Sequence, residues 1–328
     1  MFYLETNSVN PYYNLAFEEY VLCNRAQGDY LILWQNDNTI VIGQNQNNLE
    51  EINRAFVEEH QIHVVRRTTG GGAVYHDMGN LNYSFITDAG NAQELSKSRF
   101  VAPIVKALCG LGLKAEASGR NDILVNGKKV SGTAQRLVGD RILHHGTLLF
   151  DSNPDILSEA LKADPEKFKS KGIKSVRSRV GNIREFLPQD MSLYDFWAYL
   201  KSALAEAGLK NDALSREELD RVKQLEAEKY STWEWNYGRS PSCDITSKRR
   251  WEGGTLEVSL TVESGVIQEI GFFGDFLAIR PVNIVEEALR GIVYEQEAVR
   301  KALSSFSLHQ YFGSINADEL LETMLLCK

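Results

Sequence analysis

Residues 66–84 read RRTTGGGAVYHDMGNLNYS. Three consecutive glycines, Gly70, Gly71 and Gly72, stand between two strand-like runs, Ile62-His63-Val64-Val65 before and Ala73-Val74-Tyr75-His76 after. A glycine triplet costs backbone entropy wherever it folds. A folded chain keeps one where the backbone must approach something closely, or must adopt φ angles closed to other residues. Bare N–H groups in such a loop can form an anion-binding concavity. Arg66 and Arg67 add cationic charge of the kind that suits carboxylate or phosphate. On residues alone the stretch reads equally as a glycine-rich hairpin turn flanked by solvated arginines. It is not a common nucleotide loop, having neither GxxxxGK[ST] nor GxGxxG ahead of a helix.

The rest of the chain narrows the class. At 328 residues it is long enough for about two domains. Hydrophobic residues make up 43% and charged residues 24%, as in ordinary globular proteins. A formal net charge of −8 argues against a general nucleic-acid or membrane-surface binder. Cys23, Cys109, Cys243 and Cys327 are far apart with no CxxC pair, so neither a metal cluster nor a disulfide framework is expected. Scattered cysteines suit a reducing cytosol. The opening MFYLETNSVNPYYN lacks the basic and apolar regions of a signal peptide, and no apolar run approaches a membrane span. A cytoplasmic protein is expected.

Working outward, Asn14 to Ala26 reads as a helix preceded by Pro11, and Leu31–Trp34 with Thr39–Ile42 as a β-hairpin. Leu49 to His60 reads as a second helix. Leu81 to Thr87 alternates as a strand. His76-Asp77 is read as a strand end and a turn start, because adjacent strand residues point to opposite faces. Phe100 to Leu111 is a helix with Cys109 expected in the core, which weighs against a thiol acyl-transfer enzyme. Ser192 and Ser215 read as helix caps, the latter in a capping box with Glu218. A boundary is expected near Ser240-Pro241-Ser242, giving domains of 1–240 and 246–328. The second is a small α+β unit without a chemical constellation of its own.

Residues 118–136, SGRNDILVNGKKVSGTAQR, are the second informative stretch. Asn126-Gly127 is a strong hairpin signal. A regular hairpin pairs Leu124 with Lys129, Ile123 with Val130 and Asp122 with Ser131. It puts Asp122, Leu124, Lys129 and Ser131 on one face and Lys128 and Val130 on the other. Lys129 then reads either as a solvated lysine covering apolar surface or as part of a site. Lys169 to Asn182, KSKGIKSVRSRVGN, is cationic and without clear period, either a surface loop or a functional one.

RRTTGGGAVYHDMGN resembles the signature of lipoate–protein ligases, relatives of biotin ligases and octanoyltransferases. KVSGTAQR, HHGTLL and GIKSVRSRV resemble further segments of that family. The resemblance implies an α+β fold: a mixed or antiparallel sheet catalytic domain of biotin/lipoate ligase type with a small C-terminal domain. It implies activation of lipoate by ATP, with Mg2+, to lipoyl-adenylate, and transfer to a lysine of lipoyl domains. The acceptors would be acyltransferase subunits of 2-oxo acid dehydrogenases and the glycine-cleavage H protein, with no nucleic-acid or membrane partner. Carried over residue by residue, Lys129 is catalytic. Arg67, Gly70, Gly71, Gly72, Ala73, Val74, Tyr75, Lys129, Arg177 and Arg179 bind the nucleotide or adenylate. Thr69, Lys129 and Arg136 bind lipoate, and Asp122 is the candidate metal ligand. The competing expectation is an ATP-independent octanoyl or lipoyl transferase working between carrier proteins.

Overall fold

The computed structural model describes residues 1–47, 52–90, 98–119, 121–153, 155–161, 180–204, 208–237 and 245–325. Its contacts divide the chain into two compact units. One comprises Met1–Val41, Ile52–Val65 and Val74–Thr232. The other comprises Ile42–Glu51, Arg66–Ala73 and Trp233–Lys328.

The first unit is built on an eight-stranded mixed sheet in the order β11-β1-β2-β6-β10-β9-β8-β7. Its strands are β1 (Phe2–Glu5), β2 (Tyr30–Trp34), β6 (Asn80–Asp88), β7 (Ala115–Ser118), β8 (Asp122–Val125), β9 (Lys128–Val138), β10 (Arg141–Leu149) and β11 (Lys210–Asn211). The β1 strand runs parallel to β2 and β11, and the pairings from β2 through β6, β10, β9 and β8 to β7 are antiparallel. A second, three-stranded sheet joins β3 (Thr39–Ile42), β4 (His63–Arg66) and β5 (Val74–His76) in the order β4-β3-β5. The expected hairpin of Leu31–Trp34 with Thr39–Ile42 therefore does not form. Both edges of β2 are already taken, by β1 and β6, so β3 pairs with β5 instead.

The two faces of the large sheet differ in chemistry. One carries Leu31, Leu33, Leu81, Tyr83, Phe85, Ile123, Val125, Val130 and Ile142. It packs against the apolar stripe of a helix at Ser98–Gly110, with Phe100, Ile104 and Leu108, and against Phe196 and Leu200 of a helix at Leu193–Leu204. Cys109 was expected in this core and is exposed instead. It lies one residue beyond Leu108, about 100° round the helix from the buried stripe.

The opposite face is covered by α1 (Pro11–Asn24). Pro11 sits in its first turn and the Asn10 side chain accepts from the N–H groups of Tyr12 and Tyr13, so the helix starts three residues earlier than its apolar period suggested. This helix is buried along most of its length and takes Asn14, Glu18 and Glu19 inside with it. Buried carboxylates require partners, and those partners are on the sheet. The Ser215–Glu218 capping box forms as read, opening α2 (Arg216–Leu225). That helix runs on into a π-helical turn at Glu226–Tyr230.

The second unit has its own core. An antiparallel meander, β12 (Ile245–Trp251), β13 (Gly254–Glu263) and β14 (Val266–Gly274), is backed by helices at Asn283–Leu289, Gln296–Leu303 and Ala317–Leu325. Val258, Leu260, Phe272, Phe276, Val285, Phe312 and Leu320 fill the space between. The glycine loop at 66–73 groups with this unit.

Candidate active site

The β8–β9 hairpin turns at Asn126-Gly127, both at positive φ, as read. Its pairing departs from the regular hairpin. Leu124 faces Lys129, but Ile123 faces Ser131 and Asp122 faces Gly132, so Val130 is an extra residue. A bulge of this kind lets two successive side chains share a side. Val130 and Ser131 both turn into the core, each fully buried. Ser131 is therefore not on the face of Lys129 and Asp122, as regular alternation had placed it.

Lys129 lies opposite Leu124 on the face of Asp122, as in the regular hairpin, and the bulge brings Gly132 onto that face. The Lys129 side chain runs back over Gly132, where a Cβ would lie 3.4 Å from both Cε and Nζ. The ammonium ends 2.7 Å from Asp122 Oδ1, with the two side chains 35% and 33% exposed. At that exposure the ion pair contributes about 0–1 kcal/mol to stability. Its consequence is geometric: an ammonium is held at a fixed place, open to a ligand. The Gly132 N–H donates to Thr147 Oγ1 at 3.2 Å, and Val180 bridges to Lys129, whose carbonyl accepts the Gly181 N–H at 3.0 Å. Lys128, opposite Val125, faces the other side of the sheet.

Further along this face, buried acids of α1 meet the sheet. Glu18 Oε1 accepts the Ser84 hydroxyl at 2.5 Å and lies 2.9 Å from His145 Nδ1, and the Trp34 indole N–H donates to Ser84 Oγ at 2.9 Å. Glu19 accepts from Lys229 Nζ at 2.7 and 2.6 Å and from the Tyr230 hydroxyl at 2.9 Å. Burial pulls the Lys229 ammonium below its usual pKa, against the opposing pull of Glu19. Burial and Glu19 push the Tyr230 phenol well above its usual value. Arg136 lies close enough to act on Cys23, Lys229 and Tyr230. Of the paired histidines, His145 faces Glu18 while His144 stacks on Phe100 in the core, with ring centroids 4.9 Å apart. They point apart, as alternation requires. Among the described residues no group of three His, Cys, Asp or Glu could hold a metal ion.

The glycine loop, within the second unit, is shaped from inside. Arg67 Nε donates to Thr69 Oγ1 at 2.9 Å, and its Nη2 donates to the carbonyls of Gly70 and Gly72, each at 2.8 Å. Arg66, fully buried, donates through Nη1 to the carbonyls of Gly43, Gln44 and Gln46 at 3.2, 2.9 and 2.8 Å, and through Nε to Trp235. Both guanidinium groups thus organise loop carbonyls. Gly71 has φ +93°, where L side chains are strained, and its N–H donates to the Phe276 carbonyl at 3.0 Å. A Cβ on Gly70 would meet Ala278 N at 2.6 Å, whereas on Gly72 the nearest atom would be 3.6 Å away. Two of the three glycines are therefore required by the packing of residues 276–278, and only Gly72 has an open side.

The remaining sequence-derived candidates are distributed as follows. Ala73 and Val74 are half-buried at the entry to β5, and the Tyr75 hydroxyl donates to Asn38 Oδ1 at 3.0 Å. Arg177 and Arg179 lie outside the described residues, as does all of 162–179. Arg184, just beyond that cationic stretch, is paired with Asp151 at 2.7 Å and Asp190 at 2.9 Å. Asp77 caps its turn, accepting from the N–H groups of Gly79 and Asn153, as read.

Residues 10–205 match the family model of the lipoyl protein ligase A/B catalytic domain, and residues 240–324 match that of the bacterial lipoate protein ligase C-terminus. A lipoate–protein ligase 1 of Staphylococcus aureus is 42% identical over 325 residues, 98% of this chain and 99% of that one. The chain belongs to the lipoate–protein ligase family. Among solved structures, the ligase superposes on Plasmodium falciparum LipL1 in complex with lipoate at a TM-score of 0.84, with 26% identity and 99% of each chain covered. It superposes on a bipartite lipoate protein ligase from Thermoplasma acidophilum, described with its E2 lipoyl domain, at 0.65. There the identity is 31%, over 74% of this chain and 98% of that one. A lipoate–protein ligase A bound with ATP matches at 0.63, with 29% identity over 72% and 98%. The α+β reading, with a mixed sheet and a C-terminal domain, therefore holds.

In the ligase, Glu18, Glu19, Ser84, Lys229 and Tyr230 were not singled out by sequence reasoning. The only signal was a pair of acids inside an otherwise apolar helix, LAFEEYVL; the partners lie 66 to 211 residues away in the chain.

Proposed function

We propose that this ligase activates lipoate with ATP and transfers the lipoyl group to a lysine of a lipoyl domain. The observation that carries the reading is the Lys129 ammonium, fixed over Gly132 beside Asp122 and accessible from solvent. In the first step a lipoate carboxylate oxygen attacks the α-phosphorus of ATP. The bond to the bridging oxygen of the β-phosphate breaks, and pyrophosphate leaves. Two anions must meet, so a fixed cation where charge develops lowers the barrier. Lys129 supplies that cation and then polarises the acyl carbonyl. In the second step an acceptor lysine amine attacks this carbonyl, loses its proton, and AMP leaves with the bonding pair.

The loop from Arg67 to Tyr75, with Arg177 and Arg179, takes the nucleotide in this reading, and Thr69, Lys129 and Arg136 take the lipoate. Arg67 acts by holding the loop's carbonyls inward, which leaves the side of Gly72 open. Magnesium arrives with ATP. The Asp122 carboxylate is a hard oxygen donor of the type such ions take with phosphate oxygens, and the ion offsets phosphate charge. Residues 1–240 form the catalytic part and 246–328 the accessory part. The acceptors are 2-oxo acid dehydrogenase acyltransferase subunits and the glycine-cleavage H protein, in the cytoplasm. Among the described residues no helix is long and apolar enough to cross a membrane.

The alternative, ATP-independent acyl transfer, is favoured by the exposure of Cys23 and Cys109. Against it, burial and Glu19 push the Cys23 thiol up, away from the thiolate that such chemistry uses. Exchange of labelled pyrophosphate into ATP, run with lipoate, octanoate and biotin, decides between them. Exchange dependent on lipoate supports adenylation. Acyl transfer to a lipoyl domain from an acyl carrier, without ATP, would overturn it.

A further inference from the structure

His76 closes β5 and is buried. Its Nδ1 lies 3.1 Å from Asn36 Nδ2 and 3.4 Å from Asn82 Nδ2. Helix α1 fixes which end of the Asn36 amide is the donor. Asn14 Nδ2 lies 2.7 Å from the Gln35 carbonyl and 3.1 Å from the Ser8 carbonyl, and a carbonyl can only accept. That atom of Asn14 is therefore a donor, so the Asn36 atom 2.9 Å from it is the amide oxygen. The other end of Asn36 is its NH2 group, which donates to His76 Nδ1. A ring nitrogen that accepts carries no proton, so His76 is the neutral tautomer with its hydrogen on Nε2. Asn14, Asn36 and Asn82 are all buried. With the proton on Nδ1 instead, two buried amide donors would face a third donor, which is costly.

The ring stands over the face of the sheet that carries Lys129. It packs edge-on against Trp34 of β2, with ring centroids 6.2 Å apart. Asn82 of β6 lies opposite both Trp34 and Thr147 of β10. Thr147 Oγ1 accepts the N–H of Gly132, over which the Lys129 ammonium ends. From Gly132 on β9 to Asn82 on β6 is two strand spacings, about 10 Å. An acyl chain whose carboxylate meets Lys129 has its far end within reach of His76. Beyond its carboxylate, lipoate has no acceptors except the sulfurs of its dithiolane ring, and sulfur accepts weakly. Octanoate has the same chain length and no sulfur.

We propose that His76 is a specificity-determining residue of the acyl site: its Nε2–H, fixed by Asn14 and Asn36, donates to a dithiolane sulfur and favours lipoate over octanoate. This rests on the reading that Lys129 takes the lipoate carboxylate. Asn36 is a positioning residue, acting through the tautomer it imposes. The ring then meets the ligand with a donor and not with a lone pair, which sulfur would repel.

The test is heteronuclear NMR of the full chain with labelled histidine, read at the imidazole nitrogens, with lipoate or octanoate added and ATP left out. The wild-type His76 ring should carry hydrogen on Nε2 and none on Nδ1. Saturating lipoate should move the Nε2–H signal, and octanoate should move it less. His76→Phe keeps an aromatic ring beside Trp34 and removes the donor. Its Kd for lipoate should rise about fivefold, as the loss of one weak hydrogen bond implies, with the Kd for octanoate within about twofold. His76→Gln can place an amide N–H where Nε2–H stood, and it should recover most of the preference. A merely structural role would move both acids alike. Asn36→Asp keeps the acceptor for Asn14 and removes the donor to the ring, so hydrogen should appear on Nδ1. Where a variant does not fold, the wild-type spectra decide alone. A wild-type ring protonated on Nδ1, a ring moved equally or not at all by the two acids, equal losses in His76→Phe, or an unprotonated Nδ1 in Asn36→Asp overturns the proposal. If lipoate moves His76 but supports no pyrophosphate exchange, the adenylation reading fails and this one stands.

Discussion

At the scale of the residue, Lys129 and Lys128 make a controlled pair. They are adjacent in sequence and face opposite sides of the sheet, Lys129 toward Asp122 and Lys128 opposite Val125. Lys129→Ala should lower adenylate formation by about a hundred- to a thousandfold, the usual loss for one transition-state donor. Lys128→Ala should stay within about twofold. Pyrophosphate exchange on both variants checks this, and equal effects would contradict the assignment. Thermal unfolding should barely register the loss of Lys129, because a part-exposed ion pair contributes about 0–1 kcal/mol. Gly71 is a less clean probe than the motif suggests. Its φ of +93° and its N–H bond to Phe276 tie it to the packing of its own unit. A β-branched residue there disturbs the fold as well as any ligand.

At the scale of the element, the π-helical turn at Glu226–Tyr230 and helix α1 form one device. The turn presents two successive side chains, Lys229 and Tyr230, to Glu19. Glu19→Gln leaves the ammonium largely buried without its counter-ion. Breaking such a pair costs about 3–5 kcal/mol when fully buried, and Lys229 is a quarter exposed, so about 3 kcal/mol is expected. Urea unfolding should show a lower midpoint at unchanged slope. Strand β10 offers a second test. Gly146→Ala sets a Cβ 2.6 Å from the Tyr83 oxygen. Overpacking of this kind costs about 1–3 kcal/mol. Combining it with Tyr83→Leu should recover part of that loss, and a variant as stable as wild type would show that β10 yields more easily than this packing implies.

At the scale of the whole molecule, phenols dominate the response to alkali. Tyr3, Tyr12, Tyr13, Tyr75, Tyr83 and Tyr230 are all raised above the usual 10.0, chiefly by burial, with Tyr75 pushed up to about 12. The unfolded chain loses these protons near pH 10 and the folded chain holds them longer. Their contribution is complete below pH 10 and is lost as pH rises through the folded values. Lys229, lowered, works the other way, but it is one group against six. The melting temperature should therefore fall steeply from about pH 10 upward. Tyrosinate absorbance should rise together with unfolding rather than ahead of it. Phenols titrating smoothly in a folded chain would refute this.

The sequence alone determined what local chemistry dictates. Asn126-Gly127 sets a hairpin because both residues tolerate positive φ. Ser215 and Glu218 cap a helix because their side chains reach the first-turn N–H groups. The glycine triplet and KVSG marked the family because such runs are rare. Only the tertiary structure decided which way these residues face. Alternation puts Ser131 on the face of Lys129 and Asp122, and the extra residue at Val130 turns it into the core and brings Gly132 onto that face instead. A bulge leaves no mark in a pattern of period two, because what its side chains pack against lies on other strands. The partner of β3, the occupant of the space beside Gly70, the exposure of Cys109 and the joining of Glu19 to Tyr230 were hidden for the same reason. Each depends on what packs against a residue from far along the chain, and local propensity carries no information about that neighbour.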